Sequence, residues 1–320
     1  MSKRKSNLTE DRTSFKPFNY PFAYDAWLKH EQSHWLHTEV PMAEDVKDWK
    51  NKLNKEEKQF LTHIFRFFTQ GDIDVAGGYV TNYLPYFPQP EVRMMLLGFA
   101  AREALHIAAY SHLIETLGLP DSEYHAFLDY SEMADKIDYM RKADTNTLRG
   151  LGLSIAKSVF NEGVALFASF VMLLNFQRFG KMKGMGTVVE WSIRDETLHV
   201  EGGAALFHKY CDEHPRIVND EFKSKIYQMA KEAVELEDRF IDLAFTGNKI
   251  EGLTRDDVRN YIRFITDRRL IQLGLKPVFR VKENPLAWLD WVLSGVSHDN
   301  FFEKRVTEYS VNGMNGNWDW

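Results

Sequence analysis

The chain has 320 residues, 44% of them hydrophobic, which is enough to bury one large core or two small ones. Its net charge of −6 is spread over both signs with no long basic face, so nucleic-acid binding has no support, and the short basic start at Lys3, Arg4 and Lys5 reads as a solvated terminus. The single cysteine, Cys211, excludes an internal disulfide and any cysteine-based zinc or iron–sulfur site, and it fits a reducing cytoplasm.

From the start of the chain, Met1 to Tyr20 is polar and reads as a flexible segment rather than a signal peptide. Asn54 followed by Glu56 and Glu57 has the form of an N-cap with an acidic first turn. From there Leu61, Phe65, Phe68, Val75 and Tyr79 mark the apolar stripe of a first long helix, closed by Pro85, Pro88 and Pro90. A second carries Met95, Phe99, Ile107, Tyr110, Leu113 and Leu117 and ends at Gly118. A short helix is expected near Ser122 to Met140, then a third long one from about Thr145 to Phe179. A fourth should run from about Thr187 to Cys211, with two more near Asn219 to Phe245 and Thr254 to Gln272. No apolar run is long enough to span a bilayer; the richest, Val164 to Phe176, reads as a buried core helix. After Phe302 the chain turns polar and glycine-containing, as a flexible tail would. Strand signals are nearly missing, so the class is all-α, a bundle of long helices.

Several acids and histidines sit on the apolar stripes. Steps of three and four residues place Asp72 among Phe68, Val75 and Tyr79, and Glu103 and His106 among Phe99, Tyr110 and Leu113. The same spacing turns Glu162 inward with Val159, Leu166 and Phe170, and Glu196 and His199 inward with Val189, Val200 and Leu206. Four carboxylates facing one core would repel one another and resist burial, whereas two divalent cations would cancel their charge. An acid on each of two helices and Glu-x-x-His on each of two others is the di-iron or di-manganese bundle pattern, with Asp72 here in place of one glutamate. Glu-x-x-His alone is a weak signal. The third match, Glu31 to His34, has polar flanks and reads as surface. The competing explanation is buried ion pairing with Arg102 and Arg194, but their positions next to the ligands point them to other faces.

With these residues in place the chain resembles the radical-generating small subunit of class I ribonucleotide reductase from about Trp27 to Tyr309. The six residues Asp72, Glu103, His106, Glu162, Glu196 and His199 fall on that family's metal-ligand positions. The stretch from Arg194 to His199 resembles its fourth-helix signature, and Phe301 to Val306 with Tyr309 resembles the start of its tail. The resemblance implies a ferritin-like helical domain over residues 21–302, a flexible N-terminal segment at 1–20, and a tail at 303–320 that docks a large catalytic subunit. It also implies a homodimer, two iron ions, two manganese ions or one of each, and, in some members, an activating flavoprotein. Tyr110, one helical turn beyond His106, matches the position of the stable tyrosyl radical. Asp195 matches the acid behind His106, Trp35 the tryptophan that continues the path outward, and Tyr309 the tail tyrosine that passes the oxidising equivalent to a cysteine of the large subunit. That partner reduces ribonucleotides to deoxyribonucleotides; this chain, with no phosphate-binding glycine loop, is not expected to bind the nucleotide.

Two departures from the family pattern stand near the expected centre. Ser192 replaces an aliphatic residue four positions before Glu196, and Leu166 stands where many members have phenylalanine. The final Asn317 to Trp320 also differs from better-known tails. Other classes compatible with the ligand set are a stand-alone di-metal oxidase acting on a small apolar molecule, which would have no use for Tyr309, and a ferritin-type storage protein, which would assemble as a cage.

Overall fold

The computed structural model describes residues 7–290, and the packed body considered below ends at Pro285. Ten α-helices are found among the described residues: α1 (Pro21–Gln32), α2 (Ala43–Asn51), α3 (Lys55–Gly78), α4 (Pro90–Leu117), α5 (Ser131–Arg141), α6 (Leu148–Gly163), α7 (Phe167–Arg178), α8 (Lys183–Glu213), α9 (Asp220–Phe245) and α10 (Arg255–Gln272). Their ends follow local chemistry. Asn54 and Glu57 form a reciprocal capping box on α3, as do Thr254 and Asp257 on α10. Thr147 and Asn219 accept from the backbone of Gly150 and Phe222. Proline opens α1 and α4, and Gly118 closes α4 in the left-handed region at φ 74°.

Helix α3 packs on α4, α6 and α7 pack on α8, and α1 lies against α4 and α8. Helices α9 and α10 pack on each other and on α6. Phe60, Phe65, Phe67 and Phe68 on α3 are all within 2% of full burial, each contributing roughly 1.5–3 kcal/mol of apolar transfer. The stretch Leu148–Arg178 is long and apolar enough to cross a membrane by composition, yet 94% of its most apolar window is buried inside the protein, as befits a core element.

Three expectations are corrected. The third long helix is not continuous: α6 stops at Gly163, Val164 takes φ −136°, and α7 starts at Phe167. Arg269 from α10 explains the break. Its Nε donates to the Gly163 carbonyl at 3.1 Å, and a Cβ on residue 163 would come within 2.5 Å of that nitrogen. The short helix near Ser122 resolves into two 3-10 turns, Asp121–Tyr124 and Ala126–Asp129, followed by α5. Helix α3 does not stop cleanly before its prolines but widens into a π segment at Tyr79–Tyr83.

Residues 7–20, placed by sequence in the flexible start, lie along the bundle. Leu8 N–H and the Tyr20 hydroxyl donate to Glu213 at 2.8 and 2.9 Å, and Tyr20 N–H donates to Glu91 at 2.8 Å. Leu8 is fully buried, so the edge of the packed core does not coincide with residue 20.

Candidate metal centre

The four long core elements each deliver acids to one point. Asp72 comes from α3, Glu103 and His106 from successive turns of α4, Glu162 from the last turn of α6, and Glu196 and His199 from α8. All six are at most 3% exposed. Their donor atoms form two overlapping groups, Asp72–Glu103–His106 and Glu103–Glu162–Glu196–His199, with the atoms of each group within 4.8 Å of one another. Glu103 belongs to both. It reaches His106 Nδ1 with Oε2 at 3.2 Å and His199 Nδ1 with Oε1 at 3.1 Å. Glu196 spans the same gap, with Oε1 3.3 Å from His106 Nδ1 and Oε2 3.4 Å from His199 Nδ1. Two shared glutamates, one terminal acid on each side and one imidazole on each side is the donor set of a di-metal carboxylate centre.

The chemistry of these atoms tests whether ions fit. Among the described residues, Asp72 Oδ2, Glu103 Oε1 and both Glu196 carboxylate oxygens are buried acceptors without a hydrogen-bond donor. Burial, then the charge of Glu103, pushes Asp72 well above the usual carboxylate range. Burial also raises Glu162, to about 7. In Glu103 burial acts the same way, but His106 and His199 outweigh it and pull it down to about 2. Burial opposes charge on the two imidazoles as well, yet the surrounding carboxylates raise both well above the ordinary histidine value. The cluster draws positive charge into a dry core, and oxygen and nitrogen donors of this kind suit iron and manganese alike.

A second ring of residues backs the His106 side. His106 Nε2 lies 3.3 Å from Asp195 Oδ2, which also accepts from Trp35 Nε1 at 2.7 Å. Arg102 donates to the other Asp195 oxygen at 2.9 Å and to the carbonyls of His30 and Ser33. Burial alone would raise Asp195, but His106, Arg102 and Arg194 hold it well below the carboxylate range. Arg102, expected on another face, is therefore buried and paired, with Asp195 rather than with a ligand, because Asp195 projects from α8 toward α4. The Trp35 ring stacks on His106 at 6.1 Å and meets Trp191 edge-on at 5.2 Å. Tyr110 is buried, lies flat on Phe68 at 4.4 Å, and donates to Ser192 Oγ at 3.3 Å. Burial pushes its phenol up, so it stays protonated at any ordinary pH.

Residues 12–285 match the family described as ribonucleotide reductase, small chain. The chain belongs to that family. It is 48% identical to a probable ribonucleoside-diphosphate reductase small subunit of Invertebrate iridescent virus 3, over 98% of this chain and 88% of the relative. The ribonucleotide reductase R2 subunit from Clostridium botulinum shares the fold, with a TM-score of 0.81 at 21% identity over 91% of this chain and 96% of that one. Dimanganese(II)-NrdF of Streptococcus sanguinis does so with a TM-score of 0.74 at 19% identity over 85% and 94%. The fold is thus the ferritin-like bundle of the ribonucleotide reductase small chains, with its carboxylate and histidine cluster in the core.

Within this small-chain framework the structure brings Asp72, Glu103, His106, Glu162, Glu196 and His199 together, with Tyr110, Asp195 and Trp35 around them; Tyr309 lies outside the described residues. Glu31 and His34 are exposed, as expected. Two neighbours of the ligands went unread. His30 Nε2 sits 3.1 Å from His199 Nε2, and the Tyr79 hydroxyl donates to both oxygens of Glu162 at 2.6 and 2.7 Å. Tyr79 had a signal, since it continues the stripe of Asp72 and Val75. His30 had none, for it lies in a run of polar residues on α1.

Proposed function

We propose that this chain is the radical-generating small subunit of a class I ribonucleoside-diphosphate reductase. The observation that carries the reading is the buried set of six ligands with two shared glutamates and a protonated phenol beside it. Two iron ions, two manganese ions, or one of each, activated by oxygen or a reduced oxygen species, would supply the power to remove one electron from a nearby side chain. Asp72 and His106 would hold the ion on one side, Glu162 and His199 the ion on the other, and Glu103 and Glu196 would join them. Tyr110 would give up the electron and pass its proton to Asp72, the ligand carboxylate whose charge acts on the phenol. Phe68 and the surrounding apolar side chains keep water from quenching the product.

The path outward starts at His106. Asp195 accepts its ring hydrogen, fixes the tautomer, and ties it to Trp35. From Trp35 the oxidising equivalent passes to Tyr309 in the tail and on to a cysteine of a large catalytic subunit, which reduces ribonucleotides to deoxyribonucleotides. A homodimer is part of this proposal, supported by Ile73 and Val80, exposed apolar residues two turns apart on one side of α3 and its π segment. Activation of a manganese form would call on a flavoprotein partner.

Electron paramagnetic resonance of protein loaded without oxygen with iron, manganese or both, then exposed to oxygen, tests this. A tyrosyl signal that disappears in Tyr110→Phe is the expected result. A high-valent metal signal with no tyrosyl radical would move the stored oxidant from Tyr110 to the ions. No oxidised species under any loading, with superoxide supplied as well as oxygen to the manganese form, would end the proposal.

A further inference from the structure

Ligands need orientation as well as charge, and the His199 side receives it from residues outside the set of six. His199 Nδ1 lies 2.9 Å from Glu162 Oε2 and 3.1 Å from Glu103 Oε1, so Nδ1 is the atom offered to an ion. A neutral imidazole ligand then carries its hydrogen on Nε2. That nitrogen faces His30 Nε2 at 3.1 Å, and two ring nitrogens at this distance share one hydrogen. His30 must therefore present a lone pair on Nε2 and keep its own hydrogen on Nδ1. The ring is 1% exposed and lies edge-on to Phe99 at 5.3 Å.

Glu162 is held by other means. It is the last residue but one of α6, immediately before the break that Arg269 props open. A carboxylate at a helix end has more freedom than one in mid-helix, and the Tyr79 hydroxyl removes it by donating to both oxygens. Tyr79 reaches that point from the first residue of the π segment, with its ring edge-on to Phe99 at 5.8 Å and to His199 at 6.1 Å. Local π widening of this kind is often found where a helix serves a site.

We propose that His30 and Tyr79 are positioning residues for one half of the metal centre: His30 holds the His199 hydrogen on Nε2 and leaves Nδ1 free for the ion, and Tyr79 pins the Glu162 carboxylate. The proposal rests on the two-metal reading above. It assigns to this half a neutral orienting shell, where the other half has the charged pair Asp195 and Arg102.

The test is manganese(II) binding to metal-free protein, followed by calorimetry and by electron paramagnetic resonance, which separates a lone ion from a coupled pair. Wild type should bind two ions. Tyr79→Phe and His30→Leu should each weaken one of the two binding steps by about 10–100-fold and leave the other unchanged. His30→Gln, whose carbonyl can accept the same hydrogen, should restore most of the affinity lost in His30→Leu. A wild type that binds fewer than two ions would overturn the two-metal reading itself. A wild type that binds two, with both variants matching it or losing both steps equally, would overturn the positioning role and leave that reading standing. A His30→Gln protein as weak as His30→Leu would remove the tautomer argument for His30. Thermal unfolding of each metal-free variant shows that the comparison is between folded proteins.

Discussion

The two histidines of the centre are equivalent in sequence, each closing a Glu-x-x-His turn, but they are backed differently. Behind His106 stands Asp195, an ionised carboxylate clamped by Arg102 and joined to Trp35. Behind His199 stands His30, a buried neutral ring. The terminal acids differ as well: Asp72 keeps an oxygen with no donor among the described residues, whereas Glu162 is gripped by Tyr79. A carboxylate behind a ligand imidazole strengthens its basicity and opens a polar route to the next group, whereas a neutral acceptor can only orient it. One half has a hydrogen-bonded connection from His106 through Asp195 to Trp35; the other has a buried ring and a phenol against its acid and histidine.

The largest effect should come from a residue that the two halves share. Glu103 is in both ligand groups, so Glu103→Ala should abolish coupled binding of two ions, whereas Asp72→Ala and Glu162→Ala should each retain one. Metal content after gel filtration, with the spin-coupled fraction from resonance, checks this. Two coupled ions in Glu103→Ala would mean that the halves are independent sites.

Next in size is the contrast between charged and neutral backing. Asp195→Ala leaves Arg102, 4% exposed, without its ion-pair partner, and the metal-free protein should lose about 3–5 kcal/mol. His30→Leu strands only the His199 ring hydrogen and should cost about 1–3 kcal/mol. Denaturant unfolding of the two variants side by side decides it. Equal losses would show that the Asp195–Arg102 pair behaves no differently from a neutral contact.

Much of this was readable from spacing. The six acids and histidines stand out because each interrupts an apolar stripe at the helical period, and Asn54, Thr254, Pro90 and Gly118 mark helix ends through chemistry confined to a few residues. What escaped reading depends on distant partners. His30 meets His199 across 169 positions, and nothing in its polar neighbourhood marks it as buried. The end of α6 at Gly163 depends on Arg269, 106 positions away, because the freed carbonyl needs that guanidinium as its donor. Arg102 was expected on another face, since a stripe argument counts faces and does not see that Asp195 approaches from α8 to meet it. Tyr79 was placed correctly in the core, but the stripe shows where a ring goes and not what its hydroxyl meets.

The smallest effect concerns the two phenols, one in each half. Tyr79 makes short bonds to a carboxylate at 2.6 and 2.7 Å, whereas Tyr110 makes a single long one to Ser192 at 3.3 Å. A bond of that length between neutral groups is worth about 1 kcal/mol, so Ser192→Ala should lower the stability of the metal-free protein by no more than that. Its consequence for the radical proposed at Tyr110 should be larger than for the fold. A hydrogen bond to the oxygen of an oxidised tyrosine draws spin density and shifts its largest g component, and high-field resonance measures that shift directly. Ser192→Ala should therefore move the g component of the Tyr110 signal toward the value of an isolated tyrosyl, with the stability change staying small. An unmoved signal would mean that Ser192 swings away once Tyr110 is oxidised, and that the phenol on the Asp72 side is held by Phe68 and its apolar pocket alone.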